Sequence, residues 1–236
     1  MSGEFDPLRF SILWEDGPCL VAYKPPGLLT QAPPGIDNLE LQVKRFLQQR
    51  EQKAHNLYLA VIHRLDRPVS GALVMARHVR AAQRLGEQFE GRLVEKKYWA
   101  LVEGRVAEDS GTWRDFMRKV PSEPRSEIVD ERHPDAQQAI LHYQVRGRNE
   151  NTTWLEIELE TGRTHQIRLQ CGWRGHAVLG DAQYGSTRSF GPTTPDERAR
   201  WIALHARRLA FLHPMTRAPI EIEAPLPPAW VLDEFA

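Results

Sequence analysis

The chain has 236 residues, 41% of them hydrophobic, and balances 31 basic against 31 acidic residues; it can bury a real core, and its net charge alone argues weakly against a nucleic-acid partner. No stretch of about eighteen apolar residues occurs, and Glu4, Asp6, Arg9, Glu15 and Asp16 crowd the N-terminal stretch, so neither a membrane span nor a signal peptide fits and a cytoplasmic location is expected. Cys19 and Cys171 lie far apart without CxxC or Cys/His ligand spacing, which argues against a disulfide framework and a structural zinc site and predicts buried thiols.

In chain order, ILWEDGPCLVAYKPPG reads as two short strands broken at Asp16-Gly17 and stopped by Pro25-Pro26-Gly27. Asp37 with Glu40 resembles a capping box and predicts a helix through about Lys53, with Leu39, Val43, Phe46 and Leu47 near one face. IHRLDRPVSG reads as a charged turn after the apolar run 57–62, and a strand follows over 72–76. Val79, Ala82, Leu85 and Phe89 predict a helix over about 78–92 with Arg80, Arg84 and Arg92 off its apolar stripe; 97–102 reads as a strand. From 106 to about 151 the pattern loosens into polar, turn-rich sequence with short strands such as 140–145. In TWLEIELETG the alternation of Leu155, Ile157 and Leu159 with Glu156, Glu158 and Glu160 predicts a strand with one buried and one wet face. Thr164 is expected to cap a short helix through Gln170, and GWRGHAVLGDAQYGS supplies loop backbone for close approach to a ligand. Strands outnumber helices, no βα alternation is sustained and no repeat occurs, so the expectation is a single α+β domain over 1–236, dominated by mixed or antiparallel sheet.

Charge is unevenly distributed. Residues 61–104 hold eight Lys/Arg against five Asp/Glu, and 161–217 hold nine against three, local excesses of +3 and +6 that are offset elsewhere. If those two segments meet in space, a neutral chain still presents a basic face.

The chemistry-bearing residues fall into four groups: His63, Arg64 and Asp66; Lys96, Lys97 and Tyr98; Arg163, Thr164, His165 and Arg168; and His176 with Asp181 and Tyr184. Each has an ordinary reading. Asp66 between Arg64 and Arg67 suits a surface turn, His63 a core histidine with satisfied nitrogens, Tyr98 a packing residue in a half-buried strand, and Arg168 a surface ion pair. A metal-dependent phosphohydrolase would draw on His63, Asp66, His165, His176 and Asp181, but no HExxH, HxH or paired-carboxylate pattern organises them. Ser70-Gly71 lacks the GxSxG elbow of a serine nucleophile.

Taken together, the segments resemble the RluA family of pseudouridine synthases. KPPG is similar to the family's KPxG motif, IHRLDRPVSG to HRLDxxTSG, EKKYWALVEG to KxYxALVxG, and LETGRTHQIRLQCGWRGHAVLGDAQYG to TGRTHQIRxH with GHPIxGDxxYG, while LHARRLAFLHPMTRAPIEIEAPLP is similar to the closing segment. Val69 stands where the family usually has Thr, Cys171 falls near a common His, and Ala177-Val178 replaces Pro-Ile. The chain is expected to begin directly at the catalytic domain, without the S4 RNA-binding domain of some relatives.

What the resemblance implies is an α+β fold built on a bent, mostly antiparallel sheet with flanking helices and a central cleft. The implied reaction turns a uridine of structured RNA into pseudouridine without cofactor, ATP or metal. Asp66 becomes the catalytic aspartate, Tyr98 the platform on which uracil stacks with its hydroxyl near the sugar, and Arg168 the cation that keeps an enclosed carboxylate charged. Arg64 is similar to the residue that fills the space left by the flipped nucleotide. Lys96, Lys97, Arg163, Arg174 and Arg188 are candidates for phosphate contact, and the expected partner is a tRNA or ribosomal RNA stem-loop bound by a monomer. The alternatives are a catalytically silent RNA-binding protein of the same fold and the phosphohydrolase.

Overall fold

The computed structural model describes residues 6–52 and 57–235. In chain order the elements are β1 (Ser11–Asp16), β2 (Cys19–Lys24), α1 (Leu39–Arg50), β3 (Ala60–Val61), β4 (Ser70–Ala76), α2 (Val79–Glu90) and β5 (Glu95–Glu103). There follow β6 (Ser110–Lys119), β7 (Ser126–Ile128), β8 (Gln137–Arg148), β9 (Thr152–Leu159), α3 (Gln166–Trp173), β10 (Leu204–Leu212) and β11 (Pro219–Glu223). They fall into two compact units. The first takes the chain up to Lys96 with Asp196–Ala199 and Ala206–Pro228; the second takes Lys97–Pro195, Arg200–His205 and the residues from Ala229.

In the first unit the strands lie in the order β1-β2-β4-β10, with β3 also on β4 and β11 on β10. The paired registers of β1 with β2, β2 with β4, β3 with β4 and β10 with β11 are antiparallel. Every residue of β2 and β4 is buried, which is why CLVAYK and SGALVMA read as continuous apolar runs: strands covered on both faces need no alternation. Cys19, Val21 and Tyr23 of β2 and Ala72, Val74 and Ala76 of β4 form a core with Ala81 and Leu85 of α2 and Leu209 and Phe211 of β10. Gln88 ties α2 to the sheet by giving its amide N–H to Leu212 O (2.8 Å) and taking the Leu212 N–H (2.8 Å). The N-cap of α1 is Asn38, whose side chain accepts the Leu41 N–H, and not Asp37. Glu40 is drawn away from a capping role by Lys44 and Gln31. The predicted end at Lys53 lies outside the described residues.

Gly71 has φ +125°, and a Cβ there would fall 2.3 Å from the Ala206 carbonyl oxygen. This close approach lets β4 and β10 pair directly behind the Asp66 turn. Gly71→Ala is therefore expected to cost about 2 to 4 kcal/mol of stability, from backbone strain plus overpacking, read as a lowered denaturation midpoint with unchanged slope.

The second unit is a sheet in the order β5-β9-β8-β6-β7, antiparallel at β5·β9, β8·β9, β6·β8 and β6·β7. In β9, Leu155 and Ile157 are buried while Glu158 is exposed, as its alternation predicts. The loosened stretch from 106 to 151 is corrected. It holds the ten-residue β6 and the twelve-residue β8, whose inward positions are filled by well-spaced residues such as Trp113 and Met117 and whose outward positions are polar. Thr164 is not the cap of α3. His165 occupies that position with φ 56°, and Gln166 Oε1 accepts the Arg163 N–H (3.0 Å) at the helix entrance. Both cysteines are free and buried.

Candidate active site

Asp66 sits in a turn of the first unit closed by the Val69 N–H on the Asp66 carbonyl (3.1 Å). The residues on either side of it are lashed to the KPPG segment. Buried Thr30 gives its hydroxyl to Leu65 O (2.8 Å) and accepts the Leu65 N–H (3.2 Å). The Gly27 N–H bonds Arg67 O (2.8 Å) while Arg67 Nε returns a bond to Gly27 O (2.9 Å). Lys24, fully buried, spreads its ammonium over the carbonyls of Pro25 (3.0 Å), Leu28 (2.7 Å) and Arg67 (3.1 Å). Burial pushes Lys24 down to about 7, against an opposing pull from the charge of Asp66. Asp66 thus has a cation within electrostatic reach in its own unit, and sequence reading had assigned that part to Arg168 alone. The signal was present in the KPPG motif, a lysine at the inner end of a wholly buried strand.

His63 is a structural histidine. Its Nε2 accepts the Val74 N–H (3.2 Å), its ring stacks on Phe89 (4.7 Å between centroids), and burial pushes it down to about 3, so it is neutral at physiological pH.

Tyr98 and Arg168 belong to the second unit. Tyr98 is a buried residue of β5, opposite Ile157 of β9. Arg168, only 5% exposed, is no surface ion pair. Its Nε and Nη2 fork onto Asp181 (2.6 and 2.9 Å), Nη2 also reaches Gln183 Oε1 (2.8 Å), and the guanidinium lies 5.0 Å from the centre of the Tyr184 ring. The Tyr184 hydroxyl accepts the Ser126 N–H and stands 2.9 Å from His165 Nδ1. The GDAQYG segment therefore builds the cradle of the HQIR arginine, a role for Asp181 and Gln183 that sequence reading missed. Counted along TGRTHQIRxH, the family's histidine falls on Gln170 rather than Cys171. Gln170 is wholly buried and donates to Asp115 Oδ2 (2.6 Å), so an amide takes over a buried polar position.

The basic residues separate by what holds them. Lys97 pairs with Glu156 (3.4 Å), Arg163 donates to Gln138 O (3.0 Å), and Arg188 to Thr152 Oγ1 (2.7 Å). Arg174 is bonded to Asp115 (2.9 Å) and lies 4.7 Å from the centre of the Trp113 ring. Arg64 is exposed, and neither its side chain nor that of Lys96 has a hydrogen bond or ion pair among the described residues.

The family described as RNA pseudouridylate synthase matches residues 18–173. A Bacillus subtilis protein named uncharacterized RNA pseudouridine synthase YjbO is 33% identical over 222 residues, covering 94% of this chain and 74% of the relative. The ribosomal large subunit pseudouridine synthase D of Xanthomonas campestris is 35% identical over 227 residues, covering 93% and 67%. Among solved structures, human RNA pseudouridylate synthase domain containing 4 matches with a TM-score of 0.73 at 24% identity, over 92% of this chain and 88% of that one, and shares the fold. The chain belongs to the RNA pseudouridine synthase family: it is an RNA-modifying isomerase with the α+β pseudouridine synthase fold. No helix among the described residues is long and apolar enough to cross a membrane.

Proposed function

We propose that this enzyme isomerises a uridine in a tRNA or ribosomal RNA stem-loop, with Asp66 as the catalytic aspartate, Tyr98 as the base platform and Arg168 as the cation of the site. Both units together constitute one catalytic domain, acting as a monomer in the cytoplasm. The name of the Xanthomonas campestris relative makes ribosomal RNA the first substrate to test. The observation that carries the reading is the restraint of the Asp66 turn: Leu65 and Arg67 are held on either side, so the backbone that carries the carboxylate starts from a set position.

The reaction breaks N1–C1′, turns the uracil and forms C5–C1′, with the C5 proton lost and N1 protonated. A carboxylate suits it because it can attack or electrostatically stabilise an electron-poor C1′ and then leave, or accept a proton at the sugar. C1′ of a stacked nucleotide is out of reach, so the nucleotide is flipped out at a cost of a few kcal/mol. Arg64 fills the vacated space. Lys97, Arg163, Arg174 and Arg188 supply phosphate contacts by sharing or exchanging their protein partners.

Tyr98 separates stacking from chemistry. Tyr98→Phe keeps the ring and is expected to bind a uridine stem-loop within about twofold of wild type, because base-on-aromatic stacking of about 1 to 3 kcal/mol is retained. It should nevertheless fall about 10²-fold or more in single-turnover conversion through loss of the hydroxyl. Conversion at the wild-type rate would reduce Tyr98 to a stacking surface. The substrate is found by mapping carbodiimide-dependent reverse-transcription stops in cells with and without the protein. At least one stop should vanish and return on complementation with wild type, and identical maps would refute the reading.

A further inference from the structure

We propose that Lys96, seated on Phe89, is a dedicated phosphate anchor of the first unit, and that the His63–Phe89 stack holds it in place for that purpose. The inference rests on RNA being the substrate and adds to it the group that grips the backbone, the residues that build the grip and the chemical class it takes, a phosphodiester.

The Lys96 ammonium lies 5.7 Å from the centre of the Phe89 ring. Phe89 is itself stacked on His63 at an interplanar angle of 24°, and His63 is pinned through its Nε2 to the Val74 N–H of β4. The seat is therefore anchored to the first unit's sheet and not to a loop. His63 is neutral, since burial holds it near 3, so the platform brings no second positive charge to repel the ammonium or to bind the anion in its place.

What the seat lacks is an anion. Lys44 has Glu40, Lys97 has Glu156, and buried Lys24 has three carbonyls. The Lys96 side chain has no hydrogen bond or ion pair with any described residue, although burial already lowers its pKa below the ordinary lysine value. A cation partly withdrawn from water over an aromatic face recovers part of its hydration loss from the negative face of the ring. A phosphate oxygen supplies the missing charge. Position adds to the argument: His63 lies three residues before Asp66, so the seat and the catalytic turn are consecutive parts of one segment.

The ordinary reading is that the Lys96 stem merely covers Phe89. Lys96→Met distinguishes the two, since methionine keeps the apolar cover and removes the charge; Lys96→Arg keeps both. Binding of a labelled uridine stem-loop is measured by anisotropy at salt concentrations from about 0.05 to 0.3 M, with thermal melts as a check on folding. Wild type should show a linear fall of log affinity with log salt. Lys96→Met should melt like wild type, bind about five- to eightfold more weakly near 0.1 M salt and lose about 0.7 to 0.9 from the slope, the share of one phosphate. Lys96→Arg should restore both. An unchanged slope for Lys96→Met beside a salt-dependent wild type overturns the anchor alone, whereas a wild type that does not bind the stem-loop overturns the choice of RNA.

Discussion

Asp66→Asn is expected to leave a folded, RNA-binding protein with no measurable pseudouridine formation, a fall of about 10⁴-fold or more in single-turnover rate. Asparagine preserves the shape, and backbone groups of Leu65, Asp66 and Arg67 take part in the contacts that hold the turn, so the geometry should survive the change. Lys24, already held down to about 7 by burial, loses an attractive charge and shifts further toward the neutral amine while its carbonyl partners stay in place, which limits the loss of stability. Tritium release from RNA labelled at uracil C5 measures the outcome, and substantial residual release would remove Asp66 from the chemistry.

Arg168→Met should damage both stability and activity, and the two losses can be separated. Arg168 and Asp181 form an ion pair with side chains 6% and 1% exposed, so removing the guanidinium strands a buried carboxylate at a cost of about 3 to 5 kcal/mol. Replacing both partners in Arg168→Met/Asp181→Leu removes the stranded charge and should recover most of the lost stability in denaturant titrations. If Arg168 is the cation of the site, as proposed, conversion should remain at least about 10²-fold below wild type in both variants, since a fixed cation near developing charge is worth that much. If the stabilised double variant converts RNA at the wild-type rate, Arg168 is a fold residue only.

These two residues also mark how far the sequence could be read. Asp66, Tyr98 and Arg168 stood out as candidates because each lies in a short motif resembling a known family. Their supports were not: Lys24 reaches Arg67 across 43 positions, and Arg168 reaches Asp181 across 13 within a segment that read as an open glycine-rich loop. The same division holds for the fold. β9 was legible because Leu155, Ile157 and their glutamates alternate in a sheet with one wet face, whereas β6 was hidden because its fully buried side chains, Trp113 and Met117, are four residues apart, a spacing that suits a helix as well as a strand. The starts of α1 and α3 were misread for a local reason, while that of α2 was placed correctly. Asn38 and His165 took the capping positions from Asp37 and Thr164, and Thr164 has its carbonyl engaged by the Ser126 hydroxyl (2.8 Å).

The lashing of the Asp66 turn to the KPPG segment bears on when the cost of order is met. Catalytic loops are commonly drawn from the least stable parts of a protein and settle only around their ligand. Here the amides of Gly27 and Leu65 are donors inside the lashing itself, so freeing Asp66 means breaking contacts anchored at the inner end of β2. The entropy of ordering the backbone that carries that carboxylate is met during folding, before any RNA arrives. If Asp66 is the catalytic aspartate, as proposed, adaptation at this turn falls to the nucleic acid: the backbone is already set, and the uridine makes the journey.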